Sequence, residues 1–214
     1  MHTKFLQRHI LSAAAALLFA APAAHAAVVS VSYASAPVLI SNNIDGTYFN
    51  FVTGAYVNAG SLTGYDFNPY NNGAGLTFYG AASPSGIMAS GTPGTMATAL
   101  ALTFGALISS AGQFNQFQTV GSSFYRTGQE YVGLRFLNEA TGAINYGWAL
   151  MSTNAGTTGS LGFAASLLAY GYENTGASIT AGQTAVAVVP EPASIALLGL
   201  AFAGMAVVRR RKAA

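Results

Sequence analysis

Five carboxylates carry whatever acid–base chemistry the middle of this 214-residue chain has: Asp45, Asp66, Glu130, Glu139 and Glu173. Neither histidine nor cysteine is available beside them. His2, His9 and His25 are the only histidines, all within the first 26 residues, and there is no cysteine. That excludes the commonest general base, the commonest zinc ligands and every thiol from the middle of the chain. Two carboxylates facing each other across a sugar are what glycoside hydrolysis requires. Glu130, Glu139 and Glu173 are the candidates, and each has a structural reading beside it. Glu139 falls in a predicted turn, and Glu130 and Glu173 flank predicted strands within reach of Arg126 or Arg135. The structural reading is preferred, so no catalytic residue is expected. Calcium takes oxygen ligands and would draw on Asn42, Asn43 and Asp45, or on Asp66 with Asn68. The same side chains cap turns, and no EF-hand spacing occurs, so no metal or resident cofactor is expected. Tyr65, Phe67 and Tyr70 lie near predicted loops and are the candidates for stacking on a glycan. Trp148, on an alternating strand, reads as core.

These residues sit between two labelled ends. Lys4 and Arg8 precede an apolar run from Ile10 to Ala20, and Ala24-His25-Ala26 fits a small-x-small cleavage rule. Residues 1–26 are therefore expected to be a cleaved signal peptide, with the mature chain starting at Ala27. At the other end, Val189-Pro190-Glu191-Pro192 leads into Ala193 to Val208, which holds no charge, and then Arg209-Arg210-Arg211-Lys212. As a helix the apolar run spans about 24 Å, a little short of a bilayer core of roughly 30 Å. Snorkelling arginines can make up the difference. Four adjacent cations hold that end in the cytoplasm and put everything before it outside.

A Pro-Glu-Pro triplet, a short transmembrane helix and a terminal arginine cluster, in that order, resemble the PEP-CTERM sorting signal of Gram-negative bacteria. The resemblance covers roughly residues 189–212. It implies recognition by an exosortase, a membrane protease-transpeptidase that cuts at or near Pro190-Glu191-Pro192. The helix at 193–208 is then a transient anchor in the inner membrane. The destination implied is the cell surface or extracellular matrix, often alongside exopolysaccharide and biofilm formation. Tyr131–Leu137, Asn145–Ala149, Ala169–Asn174 and Gly64–Pro69 are similar to blocks common in the exported parts of such proteins.

The net charge of +2 belongs to the ends. From Ala27 to Val189 two cations, Arg126 and Arg135, stand against five carboxylates, a net charge of −3. The basic footprint that nucleic-acid binding needs is absent there. About 160 residues suffice for one domain with its own core.

The elements that must position the candidate residues read as all-β. Val29, Val31 and Tyr33 alternate with serines, and Tyr48 to Val52 and Leu76 to Tyr79 are β-prone. Asn42-Asn43-Ile44-Asp45-Gly46 and Asn71-Asn72-Gly73 are turn chemistry. Residues 81–95 carry two prolines and several glycines and read as a long loop. The strongest local signal is a hairpin. Tyr131 to Leu137 and Ile144 to Leu150 alternate on either side of Asn138 to Gly142. Its expected face sets Val132, Leu134 and Phe136 opposite Ile144, Tyr146, Trp148 and Leu150. Leu161 to Tyr172 reads as the last long strand. The expected architecture is a single β-sandwich or jelly-roll over residues 27–187, followed by the sorting signal at 188–214. The expected function is that of an exported, non-enzymatic surface or matrix protein. A carbohydrate-binding module is the alternative, and a carboxylate-based polysaccharide hydrolase the third reading.

Overall fold

The computed structural model describes residues 27–58, 60–81, 83–91, 97–159 and 161–185. The chain divides into two units at Thr184/Ala185. The first unit holds the strands β1 (Val28–Ser32), β2 (Val38–Leu39), β3 (Tyr48–Phe49), β4 (Tyr56–Val57), β5 (Phe67–Asn71), β6 (Leu76–Gly80), β7 (Gly86–Ser90) and β8 (Thr98–Ala99). They continue as β9 (Leu107–Ile108), β10 (Phe114–Asn115), β11 (Phe117–Val120), β12 (Gly128–Leu137), β13 (Ile144–Thr153), β14 (Ala165–Glu173) and β15 (Ile179–Thr180). Two short 3-10 turns, Ser122–Phe124 and Ala155–Thr158, are the only helical pieces among the described residues.

The fold is all-β. One sheet runs in the order β1-β14-β13-β12-β7-β8-β11-β6-β5-β3-β4, with β10 beside β7 and β2 beside β14, while β9 and β15 form a separate pair. The two layers expected of a sandwich are two halves of this one sheet, which curls over so that its ends face each other. Phe51 stacks on Tyr170 of β14 at 4.5 Å and meets Phe136 of β12 edge-on at 5.9 Å. Phe49, Phe67, Phe78 and Phe124 complete this aromatic core with Leu76, Leu134 and Leu167.

The hairpin forms where alternation predicts it. Asn138 Oδ1 accepts from the backbone N–H of Ala140 and Thr141, and Gly142 turns the chain at φ +72°. The register differs from the expected face by one residue, which sends every side chain to the other side. Val132 lies opposite Ala149, Leu134 opposite Gly147 and Phe136 opposite Asn145. Tyr146 and Trp148 project to the opposite face, where they join Ile108, Phe114 and Ile179 in a second, smaller core. Because β12 and β13 are covered on both faces, alternation alone could not say which apolar set belongs to which side. Trp148 is core, as expected, and its ring lies across Gly171 of β14. A Cβ at Gly171 would stand 2.8 Å from the indole, so only glycine fits.

Residues 86–90 correct the long-loop reading. They form β7, which pairs with β12, β10 and β8 and carries the sheet from one half to the other. Ile87 and Ala89 are buried, and three apolar residues between turn-formers were too short a run to register as a strand.

Candidate functional site

β5 places two of the three candidate glycan contacts, Phe67 and Tyr70, and buries both. Phe67 is 0% exposed, between Phe49 and Phe78 in the larger core, and Tyr70 is 7% exposed. Neither offers a ring face to a sugar, because the segment is a central strand and not a loop. Tyr65, just before β5, is half-buried and stands edge-on to Tyr48 at 5.0 Å. Burial pushes its hydroxyl above the usual tyrosine range, and the nearby Tyr79 and Tyr48 hydroxyls add to this. Tyr79 in turn meets the half-exposed Phe117 at 5.7 Å. Phe117 sits at φ +60°, a backbone conformation that bulky residues seldom adopt. Tyr65 thus stands in an aromatic neighbourhood whose rings pack in pairs, Tyr48 with Tyr65 and Tyr79 with Phe117.

The carboxylates separate into distinct environments. Glu130 lies opposite Met151 and Glu173 opposite Tyr146, five residues apart along β13. That is roughly 17 Å at about 3.4 Å per residue, too far for two groups working on one glycosidic bond. Glu130 pairs with Arg126, four residues earlier. Glu173 is buried, and its oxygens accept from the Thr175 N–H and hydroxyl and from the Ala177 N–H. Arg135 is held elsewhere: its Nε donates to the Pro84 carbonyl and its guanidinium lies 4.9 Å over Phe114.

Two carboxylates that sequence spacing did not connect do approach. Glu139 is exposed in the hairpin turn, as expected, and its Oε1 accepts from Asn50 Nδ2 at 2.7 Å. The same Asn50 nitrogen donates to the Gly64 carbonyl at 2.6 Å. Behind them Asp66 is buried, with Oδ2 accepting from the Phe51 N–H at 2.8 Å. Burial pushes the Asp66 carboxyl up to about 8; the Phe51 hydrogen bond works against this and the charge of Glu139 with it. The side chain is 4% exposed, so this neutral acid serves the fold and does not reach a substrate. No local pattern announces it, since its surroundings are assembled from residues 50, 51, 64 and 139.

Several groups of the two segments proposed for calcium take part in hydrogen bonds. Asn43 Oδ1 accepts from the Gly46 N–H, Asn42 Oδ1 from Asn71 Nδ2, and the Asp45 carbonyl from Asn68 Nδ2. Among the described residues no group of three or more His, Cys, Asp or Glu side chains is placed to hold a metal ion.

The sorting residues Val189, Pro190, Glu191 and Pro192, the cluster Arg209, Arg210, Arg211 and Lys212, and Ala24 and Ala26 lie outside the described residues. So does the apolar run 193–208. Ala27 is described: its N–H donates to Asn174 Oδ1 at 3.2 Å, and its carbonyl accepts from the Asn174 N–H. Among the described residues no helix is long and apolar enough to cross a membrane. Fold and chain order thus define an all-β domain followed by a C-terminal tail. Residues 188–212 of that tail match the family model of the PEP-CTERM protein-sorting motif, so the chain carries that sorting motif. The motif implies export, exosortase as the processing enzyme and transient membrane anchoring ahead of surface localisation. No curated protein and no solved structure matches the chain.

Proposed function

We propose that the β domain is the delivered part of an exosortase substrate: a non-enzymatic protein of the cell surface or extracellular matrix that associates with exopolysaccharide. On this reading residues 1–26 are removed on export and the sandwich-like domain crosses the inner membrane. The helix at 193–208 holds it there until cleavage at or near Pro190-Glu191-Pro192. The single observation that carries the reading is the motif at residues 188–212, which begins just after the unit boundary at Thr184/Ala185. The separation of Glu130 from Glu173 and the depth of Asp66 favour a binding or structural role over a hydrolase. Replacing Pro190-Glu191-Pro192 with three alanines is expected to leave full-length protein in the membrane fraction. Wild-type cells should instead release a shorter form whose C-terminus, read by mass spectrometry, ends near residue 190. Unchanged release of the triple variant overturns the proposal.

A further inference from the structure

An open cleft of about 360 Å³ lies beside the start of β12, lined among others by Leu102, Phe104, Arg126, Gln129, Glu130 and Tyr131. That volume is at the small end of ligand sites. Phe104 stands on its rim, 75% exposed. The ring is nevertheless held in place. Its turn is closed by the Ala106 N–H donating to the Thr103 carbonyl. The same turn is tied to the end of β15 by Gly105 N–H to Ala181 carbonyl and Ala181 N–H to Ala106 carbonyl, at 2.9 and 2.8 Å. One side of the ring lies on Gly182, where a Cβ would come within 2.5 Å of Phe104 Cδ2 and where φ is +82°. The next residue, Gln183, accepts from Trp148 Nε1 at 3.0 Å, which links the platform to the smaller core. Tyr131 continues the aromatic wall, 6.5 Å from Phe104 and edge-on to Trp148 at 5.4 Å.

The other groups of the cleft are polar and planar. The Glu130 carboxylate and the Arg126 guanidinium are paired, so together they offer acceptors and donors with no net charge. Gln129 adds an amide at the same strand end. An apolar occupant would strip water from this pair without replacing it, and a charged one would meet no opposing charge. A sugar ring has what the cleft lacks: an apolar C–H face for an aromatic plane and a rim of hydroxyls for a carboxylate–guanidinium pair.

We propose that this cleft binds a neutral carbohydrate, with one sugar ring on Phe104 and its hydroxyls shared among Glu130, Arg126 and Gln129. The proposal rests on the reading that the exported domain associates with polysaccharide, and it names the site. Because the platform is tied down before any ligand arrives, little ordering is left to oppose binding.

The test is an array of neutral and uronic-acid-containing oligosaccharides probed with the full-length chain in detergent. Wild type is expected to bind neutral glycans. Phe104→Ala and Glu130→Gln should weaken that binding about tenfold or more, while Phe104→Tyr and Tyr65→Ala should leave it within about threefold. Unchanged Trp148 fluorescence and Tm in each variant show that the fold is intact. Undiminished binding by Phe104→Ala overturns the cleft, as does binding confined to uronic acids. Loss in Tyr65→Ala instead moves the glycan to the tyrosine patch and leaves the polysaccharide reading standing. No binding by wild type overturns both the cleft and the polysaccharide association, and leaves processing at the tail untouched.

Discussion

Asp66 and Glu173 are buried to nearly the same depth, 4% and 2% exposed, yet the chain surrounds them differently. Glu173 ends β14, and the backbone after it turns back to present three donors: Thr175 N–H at 3.0 Å, Thr175 hydroxyl at 2.8 Å and Ala177 N–H at 2.6 Å. Asp66 precedes β5 and receives the Phe51 N–H. Burial outweighs that hydrogen bond, and its pKa rises to about 8. The contrast teaches that depth does not decide what a carboxylate does; the donors within reach decide it. Glu173 organises a loop, and Asp66 stores a pH response in the fold.

The largest effect should come from removing the better-supplied group. Glu173→Ala takes the acceptor from the Thr175 and Ala177 N–H groups and leaves a void at a buried position, and should cost about 3 kcal/mol in urea unfolding. A cost below about 1 kcal/mol would mean the three donors contribute little, and the contrast with Asp66 would collapse.

Next comes pH. Asp66 titrates at about 8 in the fold against 3.8 as the unperturbed value. Between those values the native state holds a proton that the unfolded chain has lost. Stability from this group is therefore complete below about pH 4, declines as pH rises towards 8 and stays low above it. Asp66→Asn keeps an oxygen for the Phe51 N–H and cannot ionise. It should match wild type at pH 4 and exceed it by a few kcal/mol at pH 9, read from urea midpoints at the two pH values. Parallel curves would show that the carboxylate is not neutral in the fold.

The smallest effect sharpens the contrast from outside. Glu139 is solvent-exposed, and Glu139→Ala should cost less than about 1 kcal/mol. Since its charge raises Asp66, removing it should move the Asp66 midpoint downward in an NMR titration. An upward movement would remove Glu139 from the account.

How far the chain could be read in advance follows the range of the interactions. The β12–β13 hairpin and its turn were legible because alternation and the Asn138–Gly142 chemistry act within a few residues. So was the burial of Trp148. The assignment of faces failed because both sides of that hairpin are covered, which a period of two cannot reveal. β7 hid between Pro84 and the glycine-rich stretch after it, and became a strand only through partners in β8, β10 and β12. Phe67 and Tyr70 read as lying near a loop because their segment leads into the Asn71-Asn72-Gly73 turn, yet they belong to a strand inside the curl. Asp66 depends on residues 50, 51 and 139, and the Phe104 platform on residues 181 and 182. No local window contains either set.

The scarcity and placement of basic residues carry a further consequence. Between Ala27 and Val189 a trypsin-like protease has two points of attack, Arg126 and Arg135. Arg135 lies within β12, tied to Pro84 and laid over Phe114, and a paired strand does not fit a protease groove. Arg126 is left, in the exposed bend before β12, where its side chain is already engaged by Glu130. Against a trypsin-like protease such a domain offers one readily reached bond, and a single nick after Arg126 is the scar that such exposure would leave.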